Sequence, residues 1–271
     1  MDPIVSSEWL KANIDNPNLI LLEAQLNANP AASLATSGIQ EIKNTRVFDL
    51  KNDFCDTTSS FPNTLPSAAQ FEANCRALGI NKSSIIVVYD RKGIYISPRV
   101  WWLFRTMGHS AVYVLNGGFP DWEQQGFTTE NRTDRTYPLG DFKSSFQPDN
   151  WVDFDFVKTN TQTQDNLVID ARSADRFQGI ASEPRKGLRS GHIPHSLNLP
   201  YTTVLENGKY KSKPELKSLL NPMITAGKKL IFSCGSGITA CIILLAFELI
   251  NADTKAVYDG SWTEWAQRSE D

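Results

Sequence analysis

The chain has 271 residues, of which 41% are hydrophobic and 21% charged, and its formal net charge is −3. This composition is ordinary for a globular protein and leaves room for two domains of about 130 residues each. It gives no support for a nucleic acid or an anionic membrane as partner. No apolar run reaches the roughly 18 residues that a membrane span requires.

The N-terminal residues predict a cytoplasmic protein. The opening MDPIVSSEWL lacks the basic and apolar regions of a secretory signal. It carries two acidic residues and no arginine, so a transit peptide, and with it a mitochondrial location, is less expected.

Cysteine and histidine usage points to reduced thiols and to no metal or cofactor. The four cysteines show no CxxC spacing, and there are three histidines. This pattern disfavours a zinc site or a disulfide framework and favours a reducing compartment. The cysteines are Cys55, Cys75, Cys234 and Cys241.

Strand and helix patterns alternate along the chain. Strands are predicted over 19–24, 47–50, 85–90, 111–118, 167–172, 196–200, 229–234 and 256–261. Helices are predicted over 67–78, 98–107, 118–126, 214–221, 238–250 and 262–268. Continuous Val, Ile and Leu runs are typical of strands buried on both faces of a parallel sheet. The alternation predicts an α/β fold in each half, a mostly parallel sheet flanked by helices on both faces.

The two halves resemble each other, which indicates a duplicated unit. Residues 85–104 align with 229–247 when Gly93 is set on Gly237, and 115–122 align with 258–265. We therefore expect an N-terminal domain at 1–126, a polar linker at 127–157 and a C-terminal domain at 158–271. The second half has Cys234 where the first has Asp90. This asymmetry favours a chemically active second half and a supporting first half.

The stretch FSCGSGITAC places Cys234 where a strand ends and a helix begins. A thiol is nucleophilic as thiolate, and the N–H groups of a small-residue loop and of a helix start near Ile238 favour that anion. Ser236 adds a hydroxyl close to the sulfur. The alternative, a buried thiol beside a tight turn, stays open on these residues alone. Cys241 is expected to be inert core, and Ala240 stands where a C-x5-R phosphatase loop needs arginine.

The segment 170–201 carries the second group of candidate residues. Its basic residues outnumber its acidic ones within an acidic protein. Such a run is most often a solvated surface with ion pairs, but forked guanidinium groups also bind carboxylate-like substrates. Arg172 directly follows a strand and is expected to serve structure, pairing with Asp175 or a neighbour. Loops after parallel strands face one sheet edge, so this loop and the cysteine loop are expected to be close.

These motifs resemble one family. CGSGITAC, DARSADRFQG, EPRKGLRSGHIP and YDGSWTEW are similar to the C-terminal half of two-domain rhodanese-type sulfurtransferases. IVSSEWL, LPSAAQFE, SPRVWWLFRTMGH and GGFPDW are similar to the N-terminal half. The resemblance implies tandem rhodanese-like domains with a catalytic cysteine only in the second. Within the family, the CGSGxT loop resembles 3-mercaptopyruvate sulfurtransferases, whereas thiosulfate-preferring members carry a CRKGxT pattern.

The resemblance also implies a role for each site residue. Cys234 would accept sulfur as a persulfide, and Ser236 would polarise the substrate or hold the anionic sulfur. Arg176 and Arg185 would hold the donor's carboxylate and keto oxygen. Backbone N–H groups around the sulfane sulfur would come from Gly235, Gly237, Ile238 and Thr239.

The implied partners are a small anionic sulfur donor and a thiol acceptor such as thioredoxin, or cyanide in vitro. The implied product from 3-mercaptopyruvate is pyruvate, and the expected state is a monomer or weak dimer. Two alternatives remain on the sequence, a thiosulfate:cyanide sulfurtransferase and a weakly active sulfane-sulfur carrier or regulatory protein.

Several positions depart from the family pattern. Asn63 stands where the family often has a histidine, EIKNT replaces the usual HIPGA of the first half, and the segment 48–56 is altered. His195 replaces a glycine and is expected to be a surface turn residue. The effect of these changes on activity is left open. Four tryptophans at helical spacing are expected in the core, namely Trp101, Trp102, Trp262 and Trp265.

Overall fold

The computed structural model describes residues 2–26, 38–250 and 255–269. The chain divides into two compact units. The first comprises Met1–Thr58, Leu65–Gln147 and Asn207–Lys209, and the second comprises Ser59–Thr64, Pro148–Glu206 and Tyr210–Asp271. The short segment 59–64 thus belongs to the second unit although it lies within the first half of the sequence.

The first unit is built on a five-stranded sheet with the order β1-β6-β5-β2-β4, in which the strand pairs described are parallel. A two-residue antiparallel pair joins β3 to β7. The strands are β1 (Ile4–Val5), β2 (Leu19–Gln25), β3 (Gln40–Glu41), β4 (Arg46–Asp49), β5 (Ile85–Tyr89), β6 (Val112–Leu115) and β7 (Glu130–Asn131). The helices are α1 (Ser7–Asn13), α2 (Ala68–Ala77), α3 (Ser97–Thr106) and α4 (Gly118–Gln124).

The second unit has its own five-stranded sheet, with the order β10-β9-β13-β14-β8 and parallel pairs throughout the described strands. The remaining strands of the chain are β8 (Trp151–Val152), β9 (Leu167–Asp170), β10 (Leu197–Asn198), β11 (Leu205–Glu206), β12 (Lys209–Tyr210), β13 (Leu230–Ser233) and β14 (Lys255–Tyr258). The helices are α5 (Phe154–Thr163), α6 (Ala174–Phe177), α7 (Lys213–Leu220), α8 (Ala240–Leu249) and α9 (Ser261–Arg268). Three short 3₁₀ turns lie at 148–150, 201–204 and 221–223.

The duplication predicted from the sequence appears in the sheet topology. Read from its other edge, the second sheet runs β8-β14-β13-β9-β10, which matches the first sheet strand for strand. Gly93 and Gly237, aligned from the sequence, both have left-handed φ values, +88° and +79°. The aligned pair Gly118 and Ser261 is also left-handed, at +56° and +50°. The predicted fold class, two parallel α/β units, is confirmed.

Apolar patterning explains the cores of both units. Strands β5 and β13 are buried along almost their whole length, as expected for strands covered on both faces. Helix α8 is apolar on all sides until Glu248, and nine of its ten residues are buried. The four tryptophans singled out above are at most 3% exposed, which confirms their place in the core.

Several element boundaries differ from the sequence prediction. The predicted strands at 111–118 and 256–261 end at Leu115 and Tyr258, because the residues that follow turn into α4 and α9. The helix predicted from Ile238 begins at Ala240. Helices α1, α5 and α6 were not predicted, since they are short and largely polar. Two of them begin at a capping side chain: Ser6 accepts the Trp9 N–H at 3.1 Å, and Asp153 accepts the Phe156 N–H at 2.8 Å.

The polar stretch 127–157 is divided between the units. Residues up to Gln147 belong to the first, where Arg132 pairs with the buried Glu23 and Glu41 at 2.6 and 2.7 Å. The rest of the stretch, from Pro148 to Val157, belongs to the second unit and includes the edge strand β8. Within the part of the chain that the structure describes, no helix is long and apolar enough to cross a membrane.

Candidate active site

Cys234 lies in the loop between β13 and α8, at the carboxyl edge of the second sheet. Its side chain is buried, with 2% of the residue exposed. The first turn of α9 fixes its backbone on both sides: the Cys234 N–H donates to Ser261 Oγ at 3.1 Å, and its carbonyl accepts the Trp262 N–H at 2.9 Å. The strand–helix junction predicted from the sequence is therefore anchored by a third element.

The next carbonyl of the loop is held in the same way. Gly235 O accepts the backbone N–H of Thr263 at 3.1 Å and the Thr263 hydroxyl at 2.5 Å. The C=O and N–H of a trans peptide point in opposite directions. Because α9 fixes the carbonyls of Cys234 and Gly235, the N–H groups of Gly235 and Ser236 point away from α9. The loop thus presents successive N–H donors on one side, the arrangement of an anion-binding nest.

The first unit shows what such a loop holds. Asp90 occupies the position aligned with Cys234, and its Oδ2 accepts the N–H groups of Tyr95, Ile96 and Ser97 at 2.9 to 3.0 Å. The Ser97 hydroxyl and the Lys92 N–H complete the set, at 2.9 and 2.8 Å. The repeated loop therefore encloses a negatively charged group in the first unit. The second unit offers a thiol at the same place.

Arg176, on α6, lies against the cysteine loop. A Cβ added to Gly235 would stand 3.0 Å from Arg176 Nη2, so the missing side chain leaves room for the guanidinium. Glu183 accepts from Arg176 Nε at 3.2 Å and from Nη2 at 2.6 Å. Burial alone would lower the pKa of Arg176, but the hydrogen bonds and charge of Glu183 outweigh burial and raise it. Nη1 takes no part in this pair.

Arg185 reaches the same loop by a different route. Its side chain is exposed, and Nη1 donates to Thr263 Oγ1 at 3.0 Å. Since the Thr263 hydroxyl in turn donates to Gly235 O, one hydroxyl connects Arg185 with the loop. The structure thus places Arg176 against the cysteine loop and links Arg185 to that loop through Thr263.

Arg172 serves structure, and of the expected partners, Asp175 or a neighbour, it binds the neighbour Asp170. The fully buried guanidinium binds Asp170 at 2.7 Å and Glu183 at 2.8 Å, and lies 4.7 Å from the ring centre of Trp262. Asp175 instead accepts the Arg176 N–H at 2.8 Å, at the start of α6. The Asp175 side chain thus bonds the backbone of the next residue, whereas the Arg172 side chain is buried.

Asn63 contacts Ser236, the second candidate catalytic residue. Its Nδ2 lies 3.1 Å from Ser236 Oγ and 3.4 Å from Ser236 O. The carbonyl can only accept, so the nitrogen end of the amide faces Ser236, and Oγ accepts as well. The Ser236 proton is then directed elsewhere. The sequence marked Asn63 as a departure from the family but did not reveal this contact.

The remaining loop residues and the other three cysteines lie mostly in buried positions. Ile238 is 5% exposed, and Thr239 precedes the first helical residue of α8. Cys241 is fully buried and its Sγ donates to Gly237 O at 3.3 Å, in agreement with an inert core thiol. Burial raises the pKa of Cys55 and of Cys75. None of the four cysteines forms a disulfide.

His195 is exposed in a left-handed turn at φ +62°, as expected for a surface turn residue. Three residues now belong to the site that sequence reasoning did not assign: Glu183, Ser261 and Thr263. All lie inside motifs quoted from the sequence. The hydrogen bonds that link Ser261 and Thr263 to the site join residues 27 to 78 positions apart, which no local pattern reveals, whereas those of Glu183 join residues 7 and 11 positions apart.

A doubled parallel α/β unit with a cysteine in the loop between β13 and α8 defines a class, tandem-domain proteins of rhodanese-like architecture. The family model described as a Rhodanese-like domain matches residues 6–125 and 154–268. The chain belongs to the rhodanese family, as its motifs predicted.

Curated relatives match almost the whole chain. The 3-mercaptopyruvate sulfurtransferase of Mus musculus is 37% identical over 284 residues, covering 98% of this chain and 93% of the relative. The thiosulfate sulfurtransferase of Rattus norvegicus is 36% identical over 277 residues, covering 98% and 92%. Among solved structures, SseA from Escherichia coli, a 3-mercaptopyruvate sulfotransferase with the rhodanese fold, superposes with a TM-score of 0.85 at 30% identity, covering 97% of this chain and 99% of that one.

Proposed function

We propose that this chain is a sulfurtransferase that moves sulfur from 3-mercaptopyruvate to a thiol acceptor, or to cyanide, through a persulfide on Cys234. The observation that carries the proposal is the cysteine loop itself, whose counterpart in the first unit holds the Asp90 carboxylate in a ring of N–H groups. A loop of this geometry stabilises a thiolate and a persulfide anion for the same electrostatic reason. Relatives of nearly the same length carry this activity in their names.

In the first half-reaction the Cys234 thiolate attacks the sulfur of 3-mercaptopyruvate. A sulfur–sulfur bond forms, and the carbon–sulfur bond of the donor breaks. Its electron pair leaves with the carbon as the enolate of pyruvate, which takes up one proton. In the second half-reaction the acceptor thiolate attacks the outer sulfur, and its new sulfur–sulfur bond releases the Cys234 thiolate.

The neighbouring side chains fit the charges that this sequence develops. Arg176 and Arg185 bind the donor's carboxylate and keto oxygen, and forked guanidinium groups suit both. The Ser236 hydroxyl, which accepts from Asn63, has its own proton available for the oxygen of the developing enolate. The backbone N–H groups of Gly235, Gly237, Ile238 and Thr239 surround the sulfur.

Donor preference depends on the residue after the cysteine. A Cβ at position 235 would stand 3.0 Å from Arg176 Nη2, so the Arg176 guanidinium would have to shift to make room for a longer side chain there. The loop therefore favours a donor held by Arg176, which is a carboxylate. The alternative is a thiosulfate:cyanide sulfurtransferase, which the rat relative at 36% identity supports. A weakly active sulfane-sulfur carrier or regulatory protein is the second alternative, supported by the change to Asn63.

We further propose thioredoxin or a similar dithiol protein as the acceptor, and a reducing compartment such as the cytoplasm. The second statement is supported by the four cysteines, none of which forms a disulfide. The Arabidopsis thaliana relative at 36% identity is named as mitochondrial, so fractionation of the native protein is the measurement that separates the two compartments.

The proposed function is tested by steady-state assays of the purified chain with each donor. We expect pyruvate release from 3-mercaptopyruvate to be much faster than sulfite release from thiosulfate, and a mass increase of one sulfur on the Cys234 peptide. Cys234→Ser should abolish turnover, while Cys241→Ser, which changes the inert thiol in the first turn of α8, should retain it. Normal turnover by Cys234→Ser would refute the persulfide, and faster sulfite release would establish the thiosulfate alternative.

A further inference from the structure

The hydroxyl of Thr263 lies between two groups that the proposed reaction needs. Thr263 is buried, with 1% exposed, and sits in the first turn of α9. Its Oγ1 accepts from Arg185 Nη1 at 3.0 Å and donates to Gly235 O at 2.5 Å. A hydroxyl has one proton, so donating it to Gly235 leaves a lone pair for Arg185 and fixes both partners at once.

The repeat provides an internal comparison for this contact. In the first unit, the Phe119 N–H donates to Asp90 O at 3.0 Å, which matches the bond from Trp262 to Cys234 O at 2.9 Å. The next position differs, because Pro120 stands where the second unit has Thr263. Proline has neither an N–H nor a hydroxyl. The two bonds from Thr263 to Gly235 O therefore belong to the unit that carries the thiol.

The backbone and side chain of Thr263 have separable effects. Its N–H alone holds Gly235 O at 3.1 Å, so the loop keeps one anchor when the hydroxyl is removed. Arg185, by contrast, is exposed, and its long side chain has many rotamers in water. Without the hydroxyl acceptor, its guanidinium would spend most of its time away from the loop.

We propose that Thr263 is a positioning residue that holds Arg185 over the cysteine loop and thereby sets the affinity for carboxylate-bearing donors. The proposal rests on the proposed function. It adds that the Thr263 hydroxyl holds Arg185 in position to bind the donor. Its effect falls on binding of the anionic donor, because the residues around Cys234 keep their own contacts.

The kinetic test uses Thr263→Val, which replaces the hydroxyl by a methyl group of similar shape. The KM for 3-mercaptopyruvate should rise about tenfold, which corresponds to about 1.4 kcal/mol, with kcat changed by less than about threefold. Thr263→Ser restores the hydroxyl and should return KM to within about twofold of the wild type. The matched control is Thr106→Val, since Thr106 is fully buried and its Oγ1 has no hydrogen-bond partner among the described residues.

A second readout does not depend on turnover. Iodoacetate carries a carboxylate and iodoacetamide does not, so the ratio of their alkylation rates at Cys234, followed by mass spectrometry, reports the cationic group near the thiol. Thr263→Val should lower this ratio several-fold, and Thr263→Ser and Thr106→Val should leave it unchanged. An unchanged ratio and KM in Thr263→Val, or a Thr263→Ser variant as impaired as the valine variant, would overturn the proposal. A wild type that releases no pyruvate would instead refute the proposed function, while the alkylation ratio would still decide the role of Thr263.

Discussion

Ser261 has an unfavourable backbone conformation and makes two buried hydrogen bonds. The first lowers and the second raises the free energy of unfolding, so substitutions of Ser261 can measure both effects. The residue is fully buried and left-handed, with φ +50°. Its Oγ accepts the Cys234 N–H at 3.1 Å and donates to Tyr258 O at 3.0 Å. The aligned residue in the first unit is Gly118, at φ +56°, which adopts this conformation without a Cβ clash.

The magnitudes predict an order for two variants. Ser261→Ala leaves the buried Cys234 N–H without its acceptor, at a cost of about 1 to 3 kcal/mol, and loses the bond to Tyr258, about 1 kcal/mol more. It keeps the left-handed strain. Ser261→Gly loses the same bonds but relieves about 1 to 2 kcal/mol of strain, partly offset by about 0.4 to 1 kcal/mol from its more flexible unfolded chain. We expect both to be destabilised, and glycine to be the more stable by about 0.5 to 1 kcal/mol.

Cysteine labelling can follow each unit separately. Cys75 in the first unit and Cys241 in the second are fully buried, so each reacts with a thiol reagent only when its unit opens. Pulse labelling across a urea series, read by mass spectrometry, gives a midpoint for each peptide. The Cys241 midpoint should fall in the order wild type, Ser261→Gly, Ser261→Ala. If the alanine variant is at least as stable as the glycine variant, the strain argument is refuted. If the glycine variant is more stable than the wild type, the free energy assigned to the two hydrogen bonds of Ser261 is refuted.

Two further outcomes follow from the first unit. Asp90→Ala should destabilise the first unit by at least about 3 kcal/mol, because several buried N–H donors lose their acceptor. Asp90→Asn keeps one oxygen and should lose less stability. Equal Cys75 midpoints in both variants would contradict the role of the Asp90 carboxylate as acceptor. Burial lowers the pKa of His109, so the unfolded chain binds more protons once the pH falls below about 6.5, and stability should decrease from there down to the folded-state pKa. In His109→Gln the Cys75 midpoint should change less between pH 7.5 and 5.5 than it does in the wild type. An unchanged pH dependence of that midpoint would contradict the assignment to His109.

The fold could be predicted because its signals are local and repeated. Strands β5 and β13 are continuous apolar runs, and the matching glycines at 93 and 237 mark the same turn twice. A residue pattern of this kind states which segments are buried, and duplication supplies a second, independent copy of it. The same logic identified Cys234 as the position where the copies differ in chemistry.

The site could be predicted only in part, because hydrogen-bond partners are set by tertiary packing. The sequence placed Arg176 and Arg185 in one basic loop, but nothing in it indicated that Glu183 would bind Arg176, or that Thr263 would bind Arg185. For Arg172 the sequence predicted Asp175 or a neighbour as partner, and in the structure the partners are Asp170, two residues away on the strand, and Glu183. Proximity in sequence allowed several pairings, and burial decided among them.

The comparison of the two loops shows that the thiol is only one of the differences between the halves. At three aligned positions the second unit carries a different group: Cys234 for Asp90, Ser261 for Gly118 and Thr263 for Pro120. Two of these changes add a hydroxyl, and each hydroxyl bonds the backbone on one side of the loop, the Cys234 N–H or the Gly235 carbonyl. Asp90 needs no such support, because its own carboxylate binds the N–H groups that order the loop. A thiol makes weaker hydrogen bonds than a carboxylate, and in the second unit α9 adds the two hydroxyl contacts to the backbone bond that both units share.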